Sequence, residues 1–252
     1  MSADASLLAV DGLSRYFGAL GALQGVSFAV GRAERRAIIG PNGAGKTTLF
    51  NLITGALVPS AGRVVFDGAV ITGLPAHQVA RRGLSRSFQR NSLFPTLSVL
   101  ENLRLAAAAR EGGSYDLLGS VLRLGRPLAR AREVAERVGL ADRLAVPAGQ
   151  LSHGEQRQLE IGLALAPAPT LLLLDEPTAG MSPEETHRMT DLLLGLPRAV
   201  TLLIIEHDMD VVFSLADRIT VLHGGQVLAD GPPEAVRADA RVYEVYLGTG
   251  DA

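Results

Sequence analysis

The chain has 252 residues, 47% of them hydrophobic, which is enough for one large domain or two interlocked ones with a sizeable core. Its formal net charge is −2, which excludes the strongly basic face that reads nucleic acid, so no nucleic-acid partner is expected. It contains no cysteine, which excludes disulfides and thiolate metal sites and agrees with a cytosolic address.

The opening residues, MSADASLLAVDG, carry neither a basic leader nor an apolar core of signal-peptide length. No apolar run anywhere reaches the roughly 20 residues that cross a bilayer, so any work at a membrane is expected from its side. Short β-like runs follow at 7–10, 26–30, 37–39 and 63–66, the last ending at an Asp67-Gly68 turn, and imply a mixed sheet. From 98 to 146 the pattern turns helical, with Leu100, Leu103 and Leu105, an alanine run, then Val134, Val138 and Leu140, as in an inserted helical subdomain. Beyond Leu159 come helix, buried strand (171–174), helix, buried strand (201–205), helix, and a hairpin turned by Gly224-Gly225. Strands alternating with helices predict a parallel sheet, and the 4% aromatic content favours aliphatic α/β packing over an all-β sandwich.

Ile38-Ile39 leads into Gly40-Pro41-Asn42-Gly43-Ala44-Gly45-Lys46-Thr47, a full GxxxxGK[ST] match placed after a strand and before a helix. The glycines let backbone N–H groups cradle phosphate oxygens, Lys46 reaches the β and γ phosphates, Thr47 can ligate Mg²⁺, and Thr48 completes the phosphate-binding turn. Of 24 basic residues only Lys46 is a lysine. A compact ammonium on a flexible stem fits among loop amides where a planar guanidinium does not. The run 170–174 then delivers Asp175-Glu176-Pro177 at the C-terminal end of a buried strand, where ligand sites of open α/β sheets lie. Asp175 is expected to hold Mg²⁺ through its water shell, and Glu176 to orient or deprotonate an attacking water. Taken alone the pair also reads as a solvated strand terminus; the P-loop upstream favours the catalytic reading.

Leu151-Ser152-His153-Gly154-Glu155-Gln156 adds a third motif, and with it the chain resembles the ATP-binding cassette (ABC) family, whose signature is LSGGQ. The departure is His153, in place of the first signature glycine. The same residues also read as a capping box, Ser152 with Glu155 three residues on, and the two readings are compatible. A helix N-terminus with small residues offers N–H groups to an anion. The resemblance implies that Ser152, Gly154 and Glu155 meet the γ-phosphate of ATP held by another cassette. It also implies that Gln89 is the Q-loop glutamine sensing Mg²⁺ and the attacking water, and that His207 is the switch histidine on the γ-phosphate. Phe17 would be the aromatic under adenine, with Tyr16 the lesser candidate; packing remains the other reading of Phe17. Ser182 stands where the family's D-loop has Asp, and Ser182-Pro183-Glu184-Glu185 is also a good helix start. His77, His187 and His223 lack partner acids or metal-like spacing and read as surface residues.

The implied fold is an α/β P-loop NTPase (RecA-like) core with an antiparallel β subdomain and an inserted helical subdomain: 1–88 and 158–252 for the core, 89–157 for the helical part. The resemblance covers essentially the whole chain. LSHGEQRQLEIG, DEPTAGMSPEET, IIEHDMDVV and the YLG ending look like the importer subgroup for branched-chain amino acids. Amide and urea importers are near relatives, and a soluble non-transport ABC ATPase is the reading from another class. A nucleotide kinase has no use for the LSHGEQ helix. The resemblance implies ATP and Mg²⁺ as cofactors, transmembrane permease subunits and a second cassette, alike or related, as partners, and a periplasmic or extracellular binding protein acting indirectly. The expected place is peripheral, on the cytoplasmic face of the membrane. Leu93, Phe94, Leu97 and Val99 could receive the permease or pack in the core.

Overall fold

The computed structural model describes residues 6–87, 93–109 and 120–247. The chain forms two compact units, one drawn from the chain up to Leu84 and again from Arg198 onward, the other from Ser85–Pro197.

The first unit opens with β1 (Ser6–Phe17) and β2 (Leu20–Gly31), two twelve-residue strands paired antiparallel. Their register shifts around Gly12 and Gly25, both at positive φ, which breaks the alternation and makes each strand look shorter in sequence than it is. Next come β3 (Arg35–Ile39), α1 (Lys46–Ile53), β4 (Ala61–Phe66), β5 (Ala69–Val70) and α2 (Ala76–Arg81). Asp67 and Gly68, at φ 49 and 74, make the expected turn between β4 and β5. The sheet order β2-β1-β4-β5, antiparallel throughout, is the antiparallel subdomain.

The chain enters the second unit within β6 (Leu84–Arg86) and continues through α3 (Val99–Ala108), α4 (Ser120–Arg137), α5 (His153–Leu165), β7 (Leu171–Asp175) and α6 (Pro183–Leu194). The helical segment expected over 89–157 thus shares one unit with β7 and α6. Helices α3, α4 and α5 close on Gly162, where an added Cβ would lie 3.0 Å from Leu103 and 3.4 Å from Val134 and Val138. Leu103, Val134, Val138 and Leu159 are fully buried there. β6 lies beside β7.

Back in the first unit follow β8 (Thr201–Ile205), α7 (Met209–Leu215), β9 (Arg218–His223), β10 (Gln226–Gly231), α8 (Pro233–Ala238) and α9 (Ala240–Val242). β3 runs parallel to both β8 and β9, and Gly224 and Gly225, at φ 54 and 77, turn the antiparallel hairpin to β10. All five residues of β3 are buried, as a strand with parallel neighbours on both sides requires, and so are all five of β8. Two charges, Arg35 and Arg36, are buried with them. Arg36 is 3% exposed and donates to Glu34 Oε1 (2.7 Å), to Thr220 Oγ1 (2.9 Å) and to the Asp230 carboxylate, which also accepts from Arg218.

Candidate functional site

The buried Ile38-Ile39 end of β3 delivers the chain to Gly40, at φ 154, where a Cβ would lie 2.2 Å from the Leu222 carbonyl oxygen. Gly45, at φ 101, is the N-cap of α1, and a Cβ there would lie 2.5 Å from the Ala22 carbonyl oxygen. Only glycine fits either place. Between them the Ala44 N–H donates to the Pro41 carbonyl at 3.2 Å, Ala44 is buried, and Asn42 and Gly43 are exposed. Lys46 is 7% exposed, and its Nζ donates to the carbonyls of Gly40 (2.6 Å) and Pro41 (3.0 Å). Thr47 is exposed and Thr48 half-buried. Helix α1 begins with no side-chain cap and no acidic residue in its first turn, so its dipole favours an anion at this end.

Elsewhere in the first unit, Phe17 is 45% exposed, with the Arg15 guanidinium 4.8 Å from its ring centroid, and Tyr16 is 48% exposed. Neither is a core residue. His207 is exposed just after β8; its N–H donates to Glu206 Oε2 at 2.9 Å, while Asp208 caps α7 by accepting from the N–H groups of Asp210 and Val211. His77, His187 and His223 are all exposed.

In the second unit, the buried leucine run of β7 ends at Asp175, 2% exposed. Its Oδ2 accepts from Arg86 Nη2 at 2.7 Å, and its buried Oδ1 has no hydrogen-bond partner among the described residues. Glu176, half-buried, stands at φ 49, a left-handed conformation that a non-glycine residue holds only when its surroundings impose it, as at functional sites. Gln89 lies outside the described residues. Nothing in the sequence marks Arg86 beyond its place three residues before Gln89.

Ser152 caps α5 and closes the expected box: its Oγ accepts from the Glu155 N–H (3.3 Å), and Glu155 Oε2 accepts from the Ser152 N–H (2.9 Å). That N–H, together with Arg143 on the other carboxylate oxygen, holds the Glu155 carboxyl below the ordinary glutamate range against burial. Its carboxylate is therefore committed to the helix end. Ser182, Pro183 and Glu185 open α6 in the same way, and the Ser182 N–H followed by its hydroxyl lowers Glu185. The two helix starts pack closely: a Cβ on Gly154 would lie 3.0 Å from Glu185 Oε1, and Ser152, Gly154, Met181 and Glu185 line a cleft of about 260 Å³. The 93–99 segment divides in two. Val99 is fully buried, whereas Phe94 is 56% exposed on a loop fixed by buried Asn102, which hydrogen-bonds the Phe94 N–H and the carbonyls of Phe94, Leu97 and Ser98.

A buried strand, a glycine loop and an uncapped helix N-terminus in this order define a P-loop nucleotide-binding protein. The family model described as ABC transporter matches residues 23–179, and the model described as branched-chain amino acid ATP-binding cassette transporter matches residues 226–252. BraF of Pseudomonas aeruginosa, a high-affinity branched-chain amino acid transport ATP-binding protein, is 42% identical over 250 residues, 96% of this chain and 98% of that protein. The ADP conformation of MJ1267, an ATP-binding cassette of an ABC transporter, superimposes with TM-score 0.83 at 34% identity, covering 96% of this chain and 99% of that one. The dimeric cassette MJ0796 in a post-hydrolysis state with ADP and Pi superimposes with TM-score 0.75 at 27% identity, over 90% and 98% of the two chains. This chain belongs to the ABC transporter family of ATP-binding, ATP-hydrolysing cassettes.

Proposed function

We propose that this chain powers import of branched-chain amino acids through a separate membrane permease, as one of two cassettes that close around ATP. The observation that carries the reading is the 42% identity with BraF over 96% of this chain, extended by the match of residues 226–252 to the branched-chain cassette model. The chain itself has no helix, among the described residues, long and apolar enough to cross a membrane. The place we assign it is peripheral, at the cytoplasmic face, with a binding protein on the far side presenting cargo to the permease. Phe94, exposed on its Asn102-braced loop, is the apolar point we assign to the permease contact.

The chemistry rests on the residues of each unit. The N–H groups of the Gly40 to Thr48 turn and Lys46 bind the phosphates, and Lys46 exchanges its Gly40 and Pro41 carbonyls for phosphate oxygens. Phe17, Gln89 and His207 take the adenine, water-sensing and γ-phosphate roles. The residues fit Mg²⁺: it binds through one or two protein oxygens plus phosphates, and the partnerless, buried Oδ1 of Asp175 is an acceptor that a hydrated cation satisfies. Thr47 and Asp175 would hold it, and it would neutralise charge on the phosphates. Glu176, fixed in its left-handed turn, takes the proton of the attacking water. Ser152 and Gly154 of each copy present the N-terminus of α5 to the nucleotide of the other.

The test is purification of tagged protein from detergent-solubilised native membranes, then reconstitution of whatever co-purifies into liposomes. ATP-dependent uptake of leucine, isoleucine and valine is expected. Uptake of urea or short amides instead would move the cargo to the neighbouring subgroup, and recovery of soluble partners alone would overturn transport.

A further inference from the structure

Asp175 is held on one side only. Arg86 Nη2 donates to Oδ2 at 2.7 Å, with the two side chains 12% and 1% exposed, while the buried Oδ1 accepts nothing among the described residues. One backbone bond and one bond to a side chain tie the strands that carry the pair: the Ser87 N–H donates to the Leu173 carbonyl at 2.9 Å, and the Asp175 N–H to the Ser87 hydroxyl Oγ at 3.4 Å. The carboxylate can therefore neither rotate nor shift without breaking the ion pair. A buried ion pair is a weak source of net stability, because desolvation offsets the attraction. Stability alone gives little account of an arginine here. A carboxylate with one oxygen neutralised and the other left bare is what an outer ligand of a hydrated cation needs, and groups that orient such ligands typically control metal affinity.

We propose that Arg86 is a positioning residue for the divalent cation that accompanies the nucleotide: by engaging Asp175 Oδ2 it fixes Oδ1 as the single oxygen offered to the cation's water shell. The inference rests on the assignment of Asp175 to a Mg²⁺-nucleotide. It separates Arg86 from the competing role of a counter-ion that the cation has to displace, since the two roles move metal affinity in opposite directions.

The experiment measures binding of a fluorescent ATP analogue with EDTA, and Mn²⁺ affinity of the nucleotide complex by electron paramagnetic resonance, in the wild type, Arg86→Met, Arg86→Lys, Asp175→Asn and the double variant Arg86→Met/Asp175→Asn. Arg86→Met is expected to leave metal-free nucleotide affinity within about twofold and to weaken Mn²⁺ by about tenfold or more. Arg86→Lys is expected to recover most of that loss. The double variant, which leaves no buried charge uncompensated and so keeps the test open if Arg86→Met folds poorly, is expected to bind Mn²⁺ no more weakly than Asp175→Asn alone. Unchanged Mn²⁺ affinity in Arg86→Met, with only a lower melting temperature, would reduce Arg86 to a structural brace. Tighter Mn²⁺ binding would make it a competitor, and a further loss in the double variant would show that it acts apart from Asp175; each overturns the proposal. A wild type that binds no nucleotide even with EDTA fails at the prior step, the nucleotide site itself.

Discussion

Lys46 shows how much one residue can carry. It is buried to 7% exposure, yet its ammonium rests on the carbonyls of Gly40 and Pro41, partners that phosphate oxygens of higher charge can replace. Lys46→Ala removes a charge-assisted contact, and nucleotide affinity is expected to fall by about 1.5–3 kcal/mol, roughly 10- to 100-fold. Lys46→Arg keeps the charge but puts a planar fork among loop carbonyls, and should not restore binding. A fluorescent-nucleotide titration checks both, and wild-type affinity in Lys46→Arg would show that charge alone suffices. Glu176 is legible as a chemical group in the sequence, but its left-handed φ of 49 is not. The same adjacency of acids would suit an extended, solvated strand end.

At the scale of elements, three helices begin with the same device. Ser98 with Glu101, Ser152 with Glu155 and Ser182 with Glu185 each form a reciprocal capping box opening α3, α5 and α6. The boxes at Ser152 and Ser182 are readable from the S-x-x-E spacing, and for Ser182 the spacing describes what the residue does. Ser182→Ala is expected to cost about 1 kcal/mol at neutral pH, measured by urea unfolding. The pH dependence has a definite sign. The Ser182 and Ser152 N–H groups lower the carboxyls of Glu185 and Glu155 in the folded chain from the ordinary 4.5. Their contribution is therefore present above that value and lost as pH falls through the lowered ones. Ser182→Ala keeps the N–H and removes the hydroxyl that also donates to Glu185 Oε2, so the hydroxyl's share of the penalty should shrink with acidification over that range, and a penalty constant down to about pH 3 would exclude that hydroxyl–carboxylate bond as its source. Helix α2 and strands β5 and β6 leave no such mark, being six residues or fewer with no periodicity to follow.

For the whole molecule the decisive expectation concerns two copies. Each chain carries a P-loop and an α5 N-terminus whose small residues, Ser152 and Gly154, border an open cleft, so an ATP-bridged pair made of two copies of this chain would be symmetric and close on itself. Glu176→Gln keeps the side chain's size and removes the base. Hydrolysis should drop by about 10²- to 10⁴-fold, and the protein should elute at twice its mass in ATP but not in ADP. Hydrolysis at the wild-type rate would remove Glu176 from the base role.

Local chemistry is what the sequence determined by itself. The glycine loop with Lys46, the acids after a leucine run, the capped α5 and the alternation of strand and helix all depend on residues close together in the chain, where composition and spacing act directly. Tertiary structure decided the fate of side chains whose neighbours come from far along it. Arg36 looks in sequence like any solvated charge, and the fold buries it with Thr220 and Asp230, brought in by β9 and β10, as distant partners. Phe94 and Val99 belong to one short segment with apolar residues, and the fold sends one to the surface and the other to the core. Arg86 gains its meaning from Asp175, 89 residues away, because a buried ion pair depends on distance in space and leaves no periodic trace in the chain.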